Sequence, residues 1–180
     1  MVETMLEEQK FEGGISAGMM QNEFVFMDLL REERVEIFQN IRSSKQHRYD
    51  KLYLDIAKRI AEMSNAKRSK VGGVLVNNNN IISFGWNGTP TGFPNECEDE
   101  NNVTLPIVVH TETNIFAKLS KNGGPSANGA TLYLTLSPCY DCAKQIIQSG
   151  VKRLVYSEEY RVKEPIEFIK KAGIEVCFFQ

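Results

Sequence analysis

The stretch GATLYLTLSPCYDCAKQIIQSGVKRLVY, residues 129–156, decides the fold of this chain. Its first part, Thr131–Leu136, is a short apolar run that predicts a strand. Residues 137–150 then place apolar side chains at helical intervals, and residues 153–156 return to a strand pattern. The stretch therefore predicts a strand, a helix and a second strand in direct succession.

The rest of the chain adds further elements around this unit. Two apolar runs are separated by four asparagines, which tolerate left-handed turn geometry and so predict a hairpin of residues 71–76 and 81–86. Apolar periodicity predicts helices at 23–41, 49–61, 110–119 and 165–172, and a strand at 174–178. A hairpin followed by alternating helices and strands predicts an α/β fold, with a central sheet of about five strands and helices on its faces.

Composition limits the kinds of partner. With 42% hydrophobic and 24% charged residues, the 180-residue chain is typical of one globular domain. No apolar run approaches the roughly 20 residues of a membrane helix, and the acidic, polar start is unlike a signal peptide. A net charge of −2 lacks the broad basic footprint that long nucleic acids usually require, which favours a small anionic substrate. Four cysteines, two of them spaced C-x-x-C, predict metal or redox chemistry in a reducing cytoplasm.

Two short motifs carry the chemistry, H-T-E at residues 110–112 and P-C-Y-D-C at residues 138–142. We predict that Ser137 caps the helix that follows and that Pro138 is its first residue, so that both cysteines lie on one face of the first turn. The positive end of the helix dipole favours thiolates there. One imidazole and two thiolates, from His110, Cys139 and Cys142, suit zinc and leave a fourth position for water, as in a catalytic site.

Other assignments of these residues stay open. The C-x-x-C pair could form a redox centre, or half of a structural zinc site that needs a fourth cysteine or histidine. The remaining candidates, Cys97, Cys177 and His47, have no helpful spacing. We expect Cys177 in the core, Cys97 in a loop and His47 in solvent. Glu112 could be a solvated helix residue, but its position two residues after a metal-binding histidine favours a role in the site.

The two motifs match the H-x-E…P-C-x-x-C signature of zinc-dependent nucleobase deaminases. In that chemistry the zinc lowers the pKa of its water and supplies hydroxide, which attacks C4 of a cytosine ring. We expect Glu112 to take the water's proton, deliver it to ring N3 and help to protonate the departing ammonia. The product is uracil.

From about residue 49 to residue 176 the chain resembles the deoxycytidylate (dCMP) deaminases of the cytidine deaminase superfamily. Residues 129–156 are the most similar, and R-S-K-V-G-G at 68–73, G-W-N-G-T-P at 85–90 and C-E-D at 97–99 resemble further segments. The resemblance implies a three-layer α/β/α, cytidine-deaminase-like domain over residues 46–180. Residues 1–45 are left as an N-terminal extension, predicted to be a loose tail to residue 22 followed by one helix.

The resemblance also implies an activity, which is hydrolysis of dCMP to dUMP and ammonia for thymidylate synthesis. It implies a homohexamer activated by dCTP and inhibited by dTTP, with Mg²⁺ accompanying these effectors, and neither a membrane nor a nucleic-acid partner. Carried across by position, Asn87 contacts the deoxyribose and Arg68 and Tyr160 hold the 5′-phosphate; Ser137 is a fourth expected substrate-binding residue. Simpler roles stay open: a turn at Asn87, a surface charge at Arg68 and packing at Tyr160.

Three positions depart from the family's usual residues. Thr111 and Gly73 stand where alanine is usual, and Trp86 stands where tyrosine is usual. Threonine is small enough to leave the zinc chemistry intact, whereas Trp86 puts effector binding in question. Two rival functions remain: a superfamily member acting on a nucleoside, dCTP, tRNA adenosine or single-stranded DNA, and a non-catalytic zinc domain used for interaction.

Overall fold

The computed structural model describes residues 17–180, so the predicted loose tail lies outside the described residues up to position 16. Contacts divide the chain into two units, Met1–Lys45 and Gln46–Gln180. The described part of the first unit is helical, and its described side chains between residues 31 and 45 are exposed. The second unit contains the sheet and all the predicted site residues.

The described residues contain four helices and five strands. In chain order they are α1 (Ala17–Ala61), β1 (Gly72–Asn77), β2 (Asn80–Trp86), α2 (Thr111–Lys121), β3 (Thr131–Leu136), α3 (Tyr140–Gln148), β4 (Arg153–Glu158), α4 (Glu164–Lys171) and β5 (Glu175–Phe178). None of these helices combines the length and apolarity needed to cross a membrane.

The strands form one mixed sheet in the order β2-β1-β3-β4-β5. Strand β1 is antiparallel to both β2 and β3, whereas β3, β4 and β5 run parallel to one another. The β1–β2 hairpin turns at Asn78 and Asn79, whose φ angles of 48° and 61° are in the left-handed region that asparagine tolerates. The five-stranded α/β fold predicted from the sequence is confirmed.

Helices cover both faces of this sheet, because successive side chains of a strand point to opposite sides. On one face Leu132 and Leu134 of β3 join a buried cluster with Ile115 of α2, Ile146 of α3 and Ile169 of α4. On the other face, Tyr133 packs in a second cluster with Tyr53 and Leu54 of α1. The fold is thus three layers, α/β/α.

A buried ion pair joins the C-terminal part of α1 to the sheet. Arg153 of β4 donates from Nη1 to Oδ1 of Asp50 at 2.7 Å and from Nη2 to Oδ2 at 2.9 Å, and the Tyr133 hydroxyl donates to Oδ1 at 2.9 Å. Burial acts to raise the pKa of Asp50, but the hydrogen bonds from Arg153, Gln46 and Tyr133 outweigh it and hold that pKa below its ordinary value. The carboxylate is therefore charged and fully paired.

Helix α1 differs from the sequence prediction. Two separate helical patterns were expected, after a tail that ended at residue 22, but one helix begins at Ala17 and continues to Ala61. The prediction of a tail is therefore wrong for residues 17–22. The intervening R-S-S-K-Q-H-R at 42–48 contains no apolar residue but also no glycine or proline, so the helix continues although its apolar pattern lapses.

Candidate active site

Two helix N-termini meet at the carboxyl end of β3, beside the start of β1. His110 is the N-cap residue of α2, and Cys139 is the N-cap residue of α3. The ligand atoms of His110, Cys139 and Cys142 all lie within 4.8 Å of one another. Among residues 17–180, this is the one group of three or more histidine, cysteine or acidic side chains with the spacing of a metal site.

The spacing of the three donor atoms fits a tetrahedral zinc ion. The Nδ1 atom of His110 lies 3.5 Å from Sγ of Cys139 and 3.4 Å from Sγ of Cys142. A tetrahedral zinc with bonds of about 2.3 Å to sulfur and about 2.0 Å to nitrogen places these atoms about 3.5 Å apart. The two nitrogen–sulfur separations are therefore those that a shared ion requires.

The start of helix α3 corrects one prediction. Ser137 was expected as the N-cap with Pro138 as the first helical residue, but α3 begins at Tyr140 and Cys139 is its N-cap. Ser137 instead continues the pairing with β4 just beyond the end of β3, because its N–H donates to the Glu158 carbonyl at 2.9 Å. Its hydroxyl accepts the Tyr160 N–H at 2.7 Å and so is used away from the helix.

The two thiols at this helix start have different acidities. Hydrogen bonds from the Cys142 thiol and from His110 lower the pKa of Cys139 to about 3. The pKa of Cys142 is raised, first because its thiol proton is hydrogen-bonded to Cys139 and then because the side chain is buried. Cys139 is therefore the first of the pair to ionise, and its thiolate lies at the helix N-terminus, where the dipole stabilises negative charge.

Glu112 lies in the first turn of α2 and is buried, with 4% of its surface exposed. Burial raises the pKa of its carboxyl group, and a hydrogen bond from its own backbone N–H, another from the Cys142 thiol, and the charge of His110 offset only part of that rise. A carboxyl group with a raised pKa next to a candidate metal site is suited to both accepting and releasing a proton.

Thr111, between the histidine and the glutamate, attaches the start of α2 to the sheet. Its side chain is buried, and its hydroxyl donates to the Val71 carbonyl at 2.9 Å. The Asn87 N–H donates to the same carbonyl at 3.1 Å. An alanine could not make the first of these bonds, so the threonine adds a fixed point between His110 and Glu112.

A cavity of about 390 Å³ opens over the cluster. This size is in the range of small-molecule sites. Seven of the eight predicted site residues line it, and the eighth, Cys142, is buried behind Cys139. The seven are Arg68, Asn87, His110, Glu112, Ser137, Cys139 and Tyr160.

Comparison with known proteins gives the same assignment. The sequence profile described as the cytidine and deoxycytidylate deaminase zinc-binding region matches residues 47–158. The chain belongs to the cytidine and deoxycytidylate deaminase family. This membership favours a metal site over a redox pair at Cys139 and Cys142, and zinc is the metal that the family's description names.

Individual members of the deaminase family are similar over most of the sheet domain. The deoxycytidylate deaminase of Enterobacteria phage T4 is 34% identical over 166 residues, covering 68% of this chain and 86% of the phage protein. The dCMP deaminase of cyanophage S-TIM5, solved with dCMP and dUMP, is 43% identical with a TM-score of 0.68, covering 70% of this chain and 93% of that one. The deoxycytidylate deaminase of Saccharomyces cerevisiae is 33% identical, and the match covers 73% of this chain and 45% of the yeast protein.

Two of the predicted substrate residues of this deaminase, Asn87 and Arg68, make contacts that the sequence did not reveal. The Asn87 side chain accepts the Val71 N–H and donates to the Ser69 carbonyl, both at 2.9 Å. Asn87 therefore has a structural role, but as a side-chain link to the segment of residues 69–71 rather than as a turn, and its amide retains one free lone pair and one free hydrogen. Arg68 donates from Nη1 to Oγ1 of Thr104 at 3.3 Å.

Two lining residues were missed by sequence reasoning. Arg161 has its guanidinium carbon 5.5 Å from the Tyr160 ring centroid and gives the cavity a second cation beside Arg68. Glu98, which is buried, accepts backbone hydrogen bonds from residues 67 and 68. Arg161 follows a predicted site residue directly, so its position was a usable signal. Glu98 lies in the C-E-D segment that resembles the family, but its role was not predicted, because its contacts are made across about 30 residues of chain.

The other cysteines and the second histidine lie outside the cluster. Cys97 is buried and lines the cavity, and Cys177 packs against the α1 side of the sheet, as expected for a core residue. His47 is exposed, as predicted, and stacks on Phe179 with ring centroids 4.8 Å apart. None of the three supplies a fourth ligand to the group at His110, so a position is left for water.

Proposed function

We propose that this chain is a zinc-dependent hydrolytic deaminase that converts dCMP to dUMP and ammonia. The observation that carries the proposal is the His110, Cys139 and Cys142 group with buried Glu112 beside it, inside a cavity that also presents two guanidinium groups. The substrate follows from relatives of this family, since the similar proteins of phage T4 and cyanophage S-TIM5 are dCMP deaminases.

Zinc at this site would be held by His110, Cys139 and Cys142, and it would supply a bound water whose pKa is lowered towards neutrality. Glu112 is the proton carrier. Its carboxylate accepts one proton from the water and passes it to N3 of the cytosine ring as the water oxygen adds to C4. It then takes the second proton from the added hydroxyl and delivers it to the amino group, so that C4=O forms while the C4–N bond breaks and ammonia leaves. Burial supports this role, because a raised pKa makes the Glu112 carboxylate a better proton acceptor than an exposed one.

The opposite part of the cavity selects the nucleotide. Arg68 and Arg161 supply the positive charge for a 5′-phosphate, and Asn87 offers its free amide hydrogen and lone pair to the deoxyribose. Ser137 accepts the Tyr160 N–H, so it acts by holding Tyr160 and Arg161 at the cavity. Two local cations suit a monophosphate better than a polynucleotide, which needs a basic channel along several phosphates.

The broader properties of the proposal come from resemblance. We propose a homohexamer activated by dCTP and inhibited by dTTP. The described residues contain one candidate metal group, at His110, so Mg²⁺ would enter only together with a nucleotide effector. We further propose that residues 46–180 form the deaminase domain with residues 1–45 as an extension, and that the enzyme works in the cytoplasm, where its thiols stay reduced.

Ammonia release from a panel of substrates tests the proposal. The purified chain is assayed with cytidine, deoxycytidine, dCMP, dCTP and a cytosine-containing oligonucleotide, with and without dCTP or dTTP as effectors and with and without Mg²⁺. We expect activity concentrated on dCMP. Preference for another substrate would move the enzyme elsewhere in the superfamily, and no activity on any of the five would support the interaction-domain alternative.

A further inference from the structure

Glu98 is a buried carboxylate with an unusual set of partners. It lies in the segment between β2 and α2, has 8% of its surface exposed and lines the cavity. Its Oε1 and Oε2 atoms both accept the Lys67 N–H at 3.1 Å, and Oε1 also accepts the Arg68 N–H at 3.2 Å. Hydrogen bonds to an ionised acceptor are about twice as strong as neutral ones. Glu98 therefore fixes the backbone from which the Arg68 side chain projects.

The other end of Arg68 is held by the residue that faces Glu98. Glu98 and Thr104 are partners in an isolated antiparallel bridge. The Arg68 guanidinium donates to the Thr104 hydroxyl at 3.3 Å. The backbone and the guanidinium of one arginine are thus attached to two facing residues of the same bridge.

The chain beyond Arg68 is fixed as well. The Asn87 amide binds the Ser69 carbonyl and the Val71 N–H, each at 2.9 Å. The bridge itself is closed by a hydrogen bond from the Asp99 N–H to the Val103 carbonyl at 2.9 Å. The direction of the Arg68 side chain is therefore set before any substrate arrives. Such preorganisation reduces the entropy that a long side chain loses on binding.

We propose that Glu98 is a positioning residue for substrate affinity: through the backbone of residues 67–68, and together with Thr104, it aims the Arg68 guanidinium at the phosphate of the nucleotide. This inference rests on the proposed function and adds a residue that does not touch the substrate. Glu98 acts on binding rather than on bond making, because the hydrogen bonds of its side chain go to the segment that carries Arg68 and not to the zinc ligands.

The test is a comparison of Glu98→Gln with the parent enzyme on dCMP. The glutamine keeps the shape but loses the charge and places an amide NH₂ where an acceptor was needed. We expect KM to rise about tenfold, the effect of losing one hydrogen bond to a charged group, while kcat changes by less than about twofold. The matched control is Glu100→Gln, which removes the same charge from an exposed site in the same segment and should leave both constants unchanged.

A double-mutant cycle shows whether Glu98 acts through Arg68. In an Arg68→Ala background, the further change Glu98→Gln should alter KM by less than about twofold, because the guanidinium that Glu98 positions is gone. A rise in KM as large as that in the parent background would overturn the proposal. So would a loss of kcat at unchanged KM, which indicates damage to the zinc end instead.

Thr104→Val provides a second variant, should Glu98→Gln bind less zinc or melt well below the parent. Valine removes the hydroxyl that accepts from Arg68 and preserves the side-chain volume, so we expect a rise in KM of about threefold, as for one weaker hydrogen bond. Parent KM values for both Glu98→Gln and Thr104→Val would exclude the positioning role. These results are distinct from failure of the proposed function, in which the parent itself would not deaminate dCMP.

Discussion

The two ends of the active cavity are built in different ways. At the metal end, the positions of His110, Cys139 and Cys142 are fixed by helices. Each of the three residues is the N-cap or lies in the first turn of a helix that packs on the sheet. At the other end, where we propose that the phosphate binds, Arg68 and Arg161 extend from irregular segments. Individual backbone N–H groups of these segments donate to the side chains of Glu98, Asn87 and Ser137 and so fix the segments. The proposed function thus places the chemistry at helix starts and the affinity for the phosphate on loops that depend on a few side chains.

This difference predicts that damage at the two ends has different kinetic signatures. Variants of the metal end should lower kcat, because they act on the transition state. Variants of the phosphate end should raise KM, because they act on binding of the substrate and the transition state alike. Variants of the shared scaffold should change stability without separating the two constants.

The largest effect is expected for Glu112→Gln. Glutamine retains the volume of the buried side chain but cannot carry a proton between water, ring N3 and the leaving amine. We expect kcat on dCMP to fall by about 10³-fold or more, with zinc content and KM close to those of the parent. Steady-state kinetics and elemental analysis of zinc check both parts. Turnover close to the parent value would exclude Glu112 as the proton carrier.

A change in the scaffold should affect both ends equally. Asp50→Asn leaves Arg153 without its carboxylate partner and should destabilise the fold by about 3 kcal/mol, as expected for a broken buried pair. Because the pKa of Asp50 is lowered in the folded state, this stabilisation is present above the unfolded-state pKa and is lost as pH falls through the folded-state pKa.

Chemical denaturation of the parent and of Asp50→Asn as a function of pH measures this effect. The difference in unfolding free energy should be greatest near neutral pH and should shrink in acid. The kcat and KM of the folded variant should match those of the parent. A selective change in either constant would mean that the ion pair serves one end of the cavity rather than the common sheet.

The smaller catalytic effect is expected for Arg68→Ala. Loss of one charged contact to the phosphate should raise KM for dCMP about 30-fold and leave kcat nearly unchanged. Deoxycytidine, which has no phosphate, should be deaminated by the variant and the parent at similar kcat/KM. Lys70→Ala is the matched control, since it removes an exposed cation from the same segment outside the cavity lining. Equal loss of kcat/KM on dCMP and deoxycytidine would contradict the assignment of Arg68.

The same contrast explains what could be predicted from the sequence. The zinc ligands and Glu112 were predicted because metal chemistry needs particular residue types at short spacings, as in H-T-E and C-Y-D-C. The strands followed from apolar runs and the hairpin from its asparagines. The roles of Glu98 and Thr104 could not be predicted, because they depend on hydrogen bonds to Arg68 that join segments 30 or more residues apart.

The errors near helix starts have a related cause. Ser137-Pro138 has the composition of a helix start. However, the Ser137 N–H donates to the Glu158 carbonyl and its hydroxyl accepts the Tyr160 N–H, so it is not available as a cap. Cys139 is the N-cap residue instead. A local signal is overruled there by tertiary hydrogen bonds. Helix α1 shows the opposite case, since residues 42–48 lack an apolar pattern but contain no residue that would break the helix.

The central claim is that one zinc ion at His110, Cys139 and Cys142 enables this chain to deaminate dCMP. Formation of dUMP from dCMP, measured on protein of known zinc content, tests it most directly. We predict that dUMP formation is proportional to zinc content up to one ion per chain, is abolished by a chelator and returns when zinc is restored. Undiminished dUMP formation by the zinc-free protein would contradict the claim.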